Sequence, residues 1–167
     1  MTETAWLASG CFWSKEYWLA QLPGVRATRT GFTGGHVANP TYRQVCQKKT
    51  GHAETVEVTF FPEELSYENL LRYFFNLHDP EMDRRAKGGQ YRSAIFYHNE
   101  TQHETAEKLL QELRTSGYQP TTELQPAGAF YPAGARHQKY CDHRGLRPND
   151  HYKTRLPVNI PVSHTLK

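Results

Sequence analysis

Near its N-terminus the chain passes from an apolar run, Thr4-Ala5-Trp6-Leu7-Ala8, through Gly10-Cys11-Phe12-Trp13 into a stretch without helix breakers as far as Pro23-Gly24. The first run reads as a buried strand and the second as a helix, which places Cys11 at a strand-to-helix junction. The first backbone N–H groups of a helix have no intrahelical acceptors, and the positive end of the dipole favours an anion. The Cys11 thiol is therefore expected to ionise more readily than a free cysteine, whose pKa is about 8.5. The plain alternative is that Cys11 is one more small buried hydrophobe, as most free cysteines are.

The rest of the chain supplies the partners that such a strand and helix need. Val25 to Phe32 reads as a second strand. Asn39-Pro40 reads as a cap followed by proline at the first position of a short helix through Cys46. Residues 54 to 60 alternate polar and apolar, with Val56, Val58 and Phe60 facing inward. Ser66 is a cap for a helix carrying Leu70, Leu71, Phe74 and Phe75 at spacings of three and four. A charged loop over 81–90 precedes a strand over 91–97. Asn99 and Gln102 then resemble a capping box opening a helix with Ala106, Leu109, Leu110 and Leu113 on one face, ended by Gly117. A short strand over 121–125 leads into a segment rich in Pro, Gly, His, Arg and Asn, expected to be an irregular tail over about 130–167. Strands and helices mix without strict alternation, so an α+β fold is expected, a two-layer sandwich of a mixed, mostly antiparallel sheet with packed helices on a ferredoxin-like core. Residues 1–167 are expected to form a single catalytic domain.

Composition narrows the function classes. The 167 residues carry a net charge of +3 spread thinly, with no basic block to suggest a nucleic-acid partner. No segment approaches the roughly 18 apolar residues of a membrane span, and the N-terminus lacks the basic and apolar regions of a secretory signal. A cytoplasmic location and a monomer are expected. Three cysteines, Cys11, Cys46 and Cys141, lie at wide spacings without a C-x-x-C pair, which argues against a disulfide framework or a zinc knuckle.

Four ordered motifs, Gly10-Cys11-Phe12-Trp13, Asn39-Pro40-Thr41-Tyr42, Gly51-His52-Ala53-Glu54 and Gly89-Gln90-Tyr91-Arg92-Ser93, closely resemble those of the A-type peptide methionine sulfoxide reductase family. The resemblance runs from Cys11 to about Gln138. It implies thiol-dependent reduction of the S epimer of methionine sulfoxide, free or in peptides, through a sulfenic acid on Cys11. Glu54 would be the proton donor to the departing oxygen, its pKa raised by desolvation. Tyr42 and Tyr91 would hydrogen-bond that oxygen, and Phe12 and Trp13 would pack the substrate's S-methyl group. The resemblance implies no bound cofactor or metal, and an external thiol reductant, with thioredoxin expected.

Two features depart from the family pattern. The chain lacks a glycine-rich cysteine tail, which leaves Cys141 as the candidate resolving cysteine beside a one-cysteine cycle with an external thiol. The family's loop Asp before Gln90-Tyr91-Arg92-Ser93 falls on Ala86 here, with Asp83 the nearest substitute. Read from residues alone, other possibilities stay open: a thiol peroxidase, a module that binds oxidised methionine without turnover, or a metal site from His137, Cys141 and His143. The last has an irregular spacing for tetrahedral zinc.

Overall fold

The structure, a computed structural model, describes residues 1–149 and 151–159. Its elements are β1 (Glu3–Ser9), α1 (Phe12–Leu19), β2 (Val25–Thr33), α2 (Tyr42–Cys46), β3 (Ala53–Phe60), α3 (Tyr67–Asn76), β4 (Ser93–Tyr97), α4 (Glu100–Thr115), β5 (Glu123–Pro126), β6 (Phe130–Pro132) and α5 (Tyr140–His143). The strands form one mixed sheet in the order β5-β4-β1-β3-β2-β6, antiparallel except for the parallel β4–β5 pair. The fold is α+β. Among the described residues no helix is long and apolar enough to cross a membrane.

The inner strand β1 sends Ala5 and Leu7 into the main core, against Val56 and Val58 of β3. Along β3 the alternation expected from the sequence holds from Val56 to Phe60. It gives way at Ala53, Glu54 and Thr55, all buried, because loops close over that end of the sheet on both sides. Gly10, with φ at 112°, turns the chain out of β1 and sets Cys11 as the N-cap of α1.

Three departures from the sequence expectation bear on the site, besides β5, which runs Glu123–Pro126 rather than 121–125. Helix α2 is capped by Thr41 rather than Asn39: the Thr41 hydroxyl accepts from the Gln44 N–H, and the Gln44 side chain accepts from the Thr41 N–H. This full capping box satisfies two helix N–H donors where an Asn39-Pro40 start would satisfy one. Strand β4 begins at Ser93 rather than 91, because the Arg92 guanidinium donates to the carbonyls of Gly51 and Gly89 and holds Gln90-Tyr91 in a turn. The tail is more regular than expected, since Phe130–Pro132 pairs with β2 as strand β6 and α5 forms at Tyr140–His143. Residues 160–167 of that expected tail lie outside the described residues.

Helix α3 is buried on all but the face of half-buried Glu68 and Asn69. Leu70, Leu71, Phe74 and Phe75 enter the core, while Arg72 pairs with Glu68 and with Glu112 of α4. Asn76 at its end anchors the tail: its Nδ2 donates to the Leu156 carbonyl at 2.7 Å, and its Oδ1 accepts from the N–H groups of Arg155 and Leu156. Asn76 is 0% exposed, so removing the amide strands three backbone groups. Asn76→Ala is expected to destabilise the protein by about 2–3 kcal/mol and to raise hydrogen exchange at Arg155 and Leu156 first. Parent-like protection at those amides would show that the tail is held elsewhere.

Candidate active site

Cys11 is half-buried at the start of α1, with its side chain making no capping hydrogen bond. The expected depression of its thiol pKa is not found. Burial pushes the thiol up, and the negative charge of Glu54 adds to the rise, against the lowering effect of the Trp13 and Ser14 N–H groups and of Lys15. Burial is the larger cause, and the geometry of the helix start adds to it. The first N–H of α1, that of Phe12, already donates to Glu54 Oε1 at 3.1 Å, so the helix terminus serves the carboxylate before it serves the sulfur.

Glu54 comes from the buried end of β3 and is 2% exposed. Gln90 Nε2 donates to its Oε2 at 2.6 Å, and the Glu54 N–H donates to the Gln90 carbonyl. Burial nonetheless raises its pKa to about 7, outweighing the hydrogen bonds from Phe12 and Gln90 and the nearby Arg84 charge, all of which lower it. At neutral pH the carboxyl is poised between its two states, as a group that takes and returns a proton must be.

Tyr42 at the start of α2 and Tyr91 in the turn before β4 are brought to the same place. Burial pushes both phenols up, with Glu54 adding to the rise in each, and Tyr91 reaches about 12. Both remain neutral donors at working pH. Arg84 lies over the Tyr91 ring at 4.9 Å and Lys48 at 5.6 Å. Phe12 is buried against Phe32 and Tyr42, while half-buried Trp13 stacks on Tyr42 at 5.9 Å and on Tyr140 at 3.8 Å. Phe12 therefore backs the aromatic wall, and Trp13 carries its reachable surface.

Two further residues enter the site in roles that the sequence did not give them. Gln90 lies within a quoted motif, but only the fold shows its amide clamping Glu54. His137 stacks on Tyr42 at 4.3 Å and accepts from Trp13 Nε1 at 3.0 Å, orienting the indole across 124 positions of chain. Its role here is aromatic, and among the described residues no three His, Cys, Asp or Glu side chains gather to hold a metal ion. His52, from the third motif, is buried and braces the loop before α2 by accepting from the Gly35 N–H.

Cys46 sits one helical turn from Tyr42 and is 3.4 Å from Gln90 Nε2. Cys141, in α5, is buried, and its thiol donates to the Trp13 carbonyl at 3.4 Å. Cys11 and Cys141 line one groove, together with Trp13 and Tyr140. Asp83 belongs elsewhere: it is exposed and ion-paired with Arg85 at 2.8 Å.

This arrangement pairs a thiol with a proton-carrying carboxyl, two phenol donors and an aromatic wall. The family model described as peptide methionine sulfoxide reductase matches residues 3–160. Among curated relatives, "Peptide methionine sulfoxide reductase MsrA" of Natronomonas pharaonis is 42% identical over 91% of this chain and 87% of its own, and that of Methanosarcina acetivorans 45% identical over 88% and 81%. Methionine sulfoxide reductase A of Corynebacterium diphtheriae superposes with a TM-score of 0.76 at 34% identity, covering 96% of this chain and 84% of its own. Reduced Mxr1 of Saccharomyces cerevisiae superposes with a TM-score of 0.83 at 26% identity, covering 93% of each chain. A further structure holds Mxr1 in complex with Trx2, at a TM-score of 0.60 and 22% identity over 83% of this chain and 84% of its own. The chain belongs to the peptide methionine sulfoxide reductase family, of the A type, whose enzymes are oxidoreductases acting on methionine sulfoxide.

Proposed function

We propose that the chain, a single catalytic domain, reduces the S epimer of methionine sulfoxide, free or in peptides, to methionine, with Cys11 as nucleophile and Glu54 as acid. The observation that carries this reading is the buried Glu54 carboxyl, its pKa near 7, hydrogen-bonded to the backbone beside Cys11. With the short α2 between β2 and β3 set aside, the order β1-α1-β2-β3-α3-β4 fits a ferredoxin-like two-layer core, in which Cys11 and Glu54 lie close to the ends of adjacent antiparallel strands.

The thiol proton passes to Glu54, and the resulting thiolate attacks the sulfoxide sulfur. Glu54 returns the proton to the sulfoxide oxygen as the S–O bond breaks. The oxygen and its proton then bond to the Cys11 sulfur as the bond between the two sulfurs, formed in the attack, breaks and methionine leaves, so Cys11 ends as a sulfenic acid: the cysteine sulfur loses two electrons, and the methionine sulfur gains them. Tyr42 and Tyr91 donate hydrogen bonds to the oxygen as charge builds on it. The S-methyl group packs against Trp13 backed by Phe12, where water is excluded. Fixing oxygen and methyl on separate walls around a pyramidal sulfur admits one epimer. The electrons come from cysteine sulfur, so no bound cofactor or metal enters the step, and one chain, acting as a monomer, supplies every group.

Recycling runs through Cys141, whose thiol attacks the Cys11 sulfenic sulfur and releases water, leaving a disulfide for a thioredoxin-like dithiol. The shared groove of the two cysteines supports this route. Cys141→Ser is expected to leave a single turnover intact and to lower thioredoxin-coupled steady-state turnover by about tenfold or more. Unchanged steady-state turnover would remove Cys141 from the cycle. The function itself is tested by following methionine release from each sulfoxide epimer, with loss of the S epimer alone expected.

A further inference from the structure

Cys11 also lines a second cavity, of about 460 Å³, which reaches Tyr91 and does not include Cys141 among its lining residues. Its wall holds Lys15, one helical turn after Cys11 in α1. Lys15 is 8% exposed, yet among the described residues its ammonium has no carboxylate partner and no hydrogen bond. A buried ammonium is costly unless paired; the Cys11 thiolate is one anion that Lys15 faces, and its place on the cavity wall leaves room for a second. Arg84 stands at the same wall, its guanidinium over Tyr91 and beside Gly10; among the described residues it makes no ion pair, and the negative charge it feels is that of nearby Glu54. Lys153 and Arg155 line the rim, and Asp79 is the one acidic side chain among the lining residues.

We propose that Lys15 and Arg84 form a carboxylate subsite beside the nucleophile, which recognises a carboxylate carried by the substrate within a few bonds of the reacting sulfur. This rests on the reductase reading. The sulfoxide sulfur bears three substituents: oxygen goes to Glu54 and the tyrosines, methyl goes to the aromatic wall, and the third, the methionine chain, leaves toward the cavity. In free or C-terminal methionine sulfoxide the α-carboxylate is four bonds from sulfur, within reach of a cation one helical turn from Cys11. An acidic side chain on the next residue of a peptide would bring the same group from a second source.

The experiment uses the whole protein, with Lys15→Met, which conserves volume, Lys15→Arg, and the exposed Arg84→Gln. Three substrates are compared: N-acetyl-methionine sulfoxide, its N-methylamide, and a peptide with blocked ends and Asp after the methionine sulfoxide. Lys15→Met is expected to lower kcat/KM about tenfold for the acid, mainly through KM, relative to its effect on the amide, and Lys15→Arg to restore most of it. A matching loss on the Asp peptide identifies a neighbouring acid as a second source, and its absence confines the subsite to the α-carboxylate. Equal losses on acid and amide would overturn the proposal and leave Lys15 a mere neighbour of the thiolate.

Alkylation of Cys11, followed by peptide mass spectrometry, reads the subsite without turnover. The ratio of the rates with iodoacetate and iodoacetamide is expected to fall about tenfold in Lys15→Met, and less in Arg84→Gln. An unchanged ratio would refute the subsite. A falling ratio in a protein that reduces no sulfoxide would keep the subsite and discard the reductase reading.

Discussion

Cys11→Ser is expected to lower single-turnover methionine formation by more than about a thousandfold while leaving the fold intact. A serine hydroxyl at this position has neither the acidity nor the polarisability to attack a sulfoxide sulfur, and it cannot accept oxygen as a sulfenic acid. The structural cost is small, because the Cys11 side chain is half-buried and makes no capping hydrogen bond. Serine is a favoured N-cap, so the variant should unfold at the parent's temperature or slightly above it. Activity within tenfold of the parent in this variant would rule out Cys11 as the nucleophile.

Glu54→Gln is the second large effect, a loss of about a hundredfold to ten-thousandfold in the attack step. Glutamine preserves shape and can still accept from Phe12, but it holds no transferable proton. The pH dependence identifies the cause. In the parent, Glu54 titrates near 7 and the thiol higher, and the competent form holds one proton between the two groups. The parent's kcat/KM should rise with pH through about 7, level off, and fall above the raised thiol pKa. In Glu54→Gln the break near 7 disappears. The thiol also loses a negative neighbour, so the remaining limb, which follows thiolate formation, moves to lower pH. A break near 7 that survives the substitution would assign it to another group.

The same carboxyl sets a stability cost. Its pKa rises from an ordinary 4.5 to about 7 on folding, so its neutral form stabilises the protein at low pH, and that contribution is lost as pH climbs from about 4.5 through 7. The difference is about 3 kcal/mol above pH 7. Glu54→Gln removes this decline, so the inactive variant should unfold later than the parent at pH 8 and show no such gain at pH 4. Function here is bought with stability, as is usual where a carboxyl is kept protonated for catalysis.

How much of this could be read from the chain depends on how far apart the partners lie. The strand-to-helix junction at Gly10-Cys11 and the alternation from Val56 to Phe60 are local patterns, and the structure has both. The cap at Ser66 is local too, its hydroxyl accepting from the Asn69 N–H. The lowered thiol pKa failed first because the fold half-buries the sulfur, and then for a second, long-range reason. Sequence places the sulfur at a helix terminus, but it does not show that a carboxylate 42 positions away takes the first N–H of that helix. His137 escaped notice as an aromatic partner because its contacts with Trp13 and Tyr42 form only once the tail folds back, and its spacing to Cys141 suggested metal chemistry instead. Lys15 had no signal at all. A lysine within a helix is ordinarily solvated, and its burial follows from the tail that closes the cavity around it.

The transfer of oxygen to the Cys11 sulfur is the step on which the account stands, and trapping it is its most direct test. Reduced Cys141→Ser protein is mixed with one equivalent of methionine sulfoxide, quenched with a sulfenic-acid trap and mapped by peptide mass spectrometry. The expected result is one trapped sulfenic acid on Cys11 for each methionine formed, with Cys46 unmodified. Methionine formed without an adduct on Cys11, or with the adduct on Cys46, would contradict it.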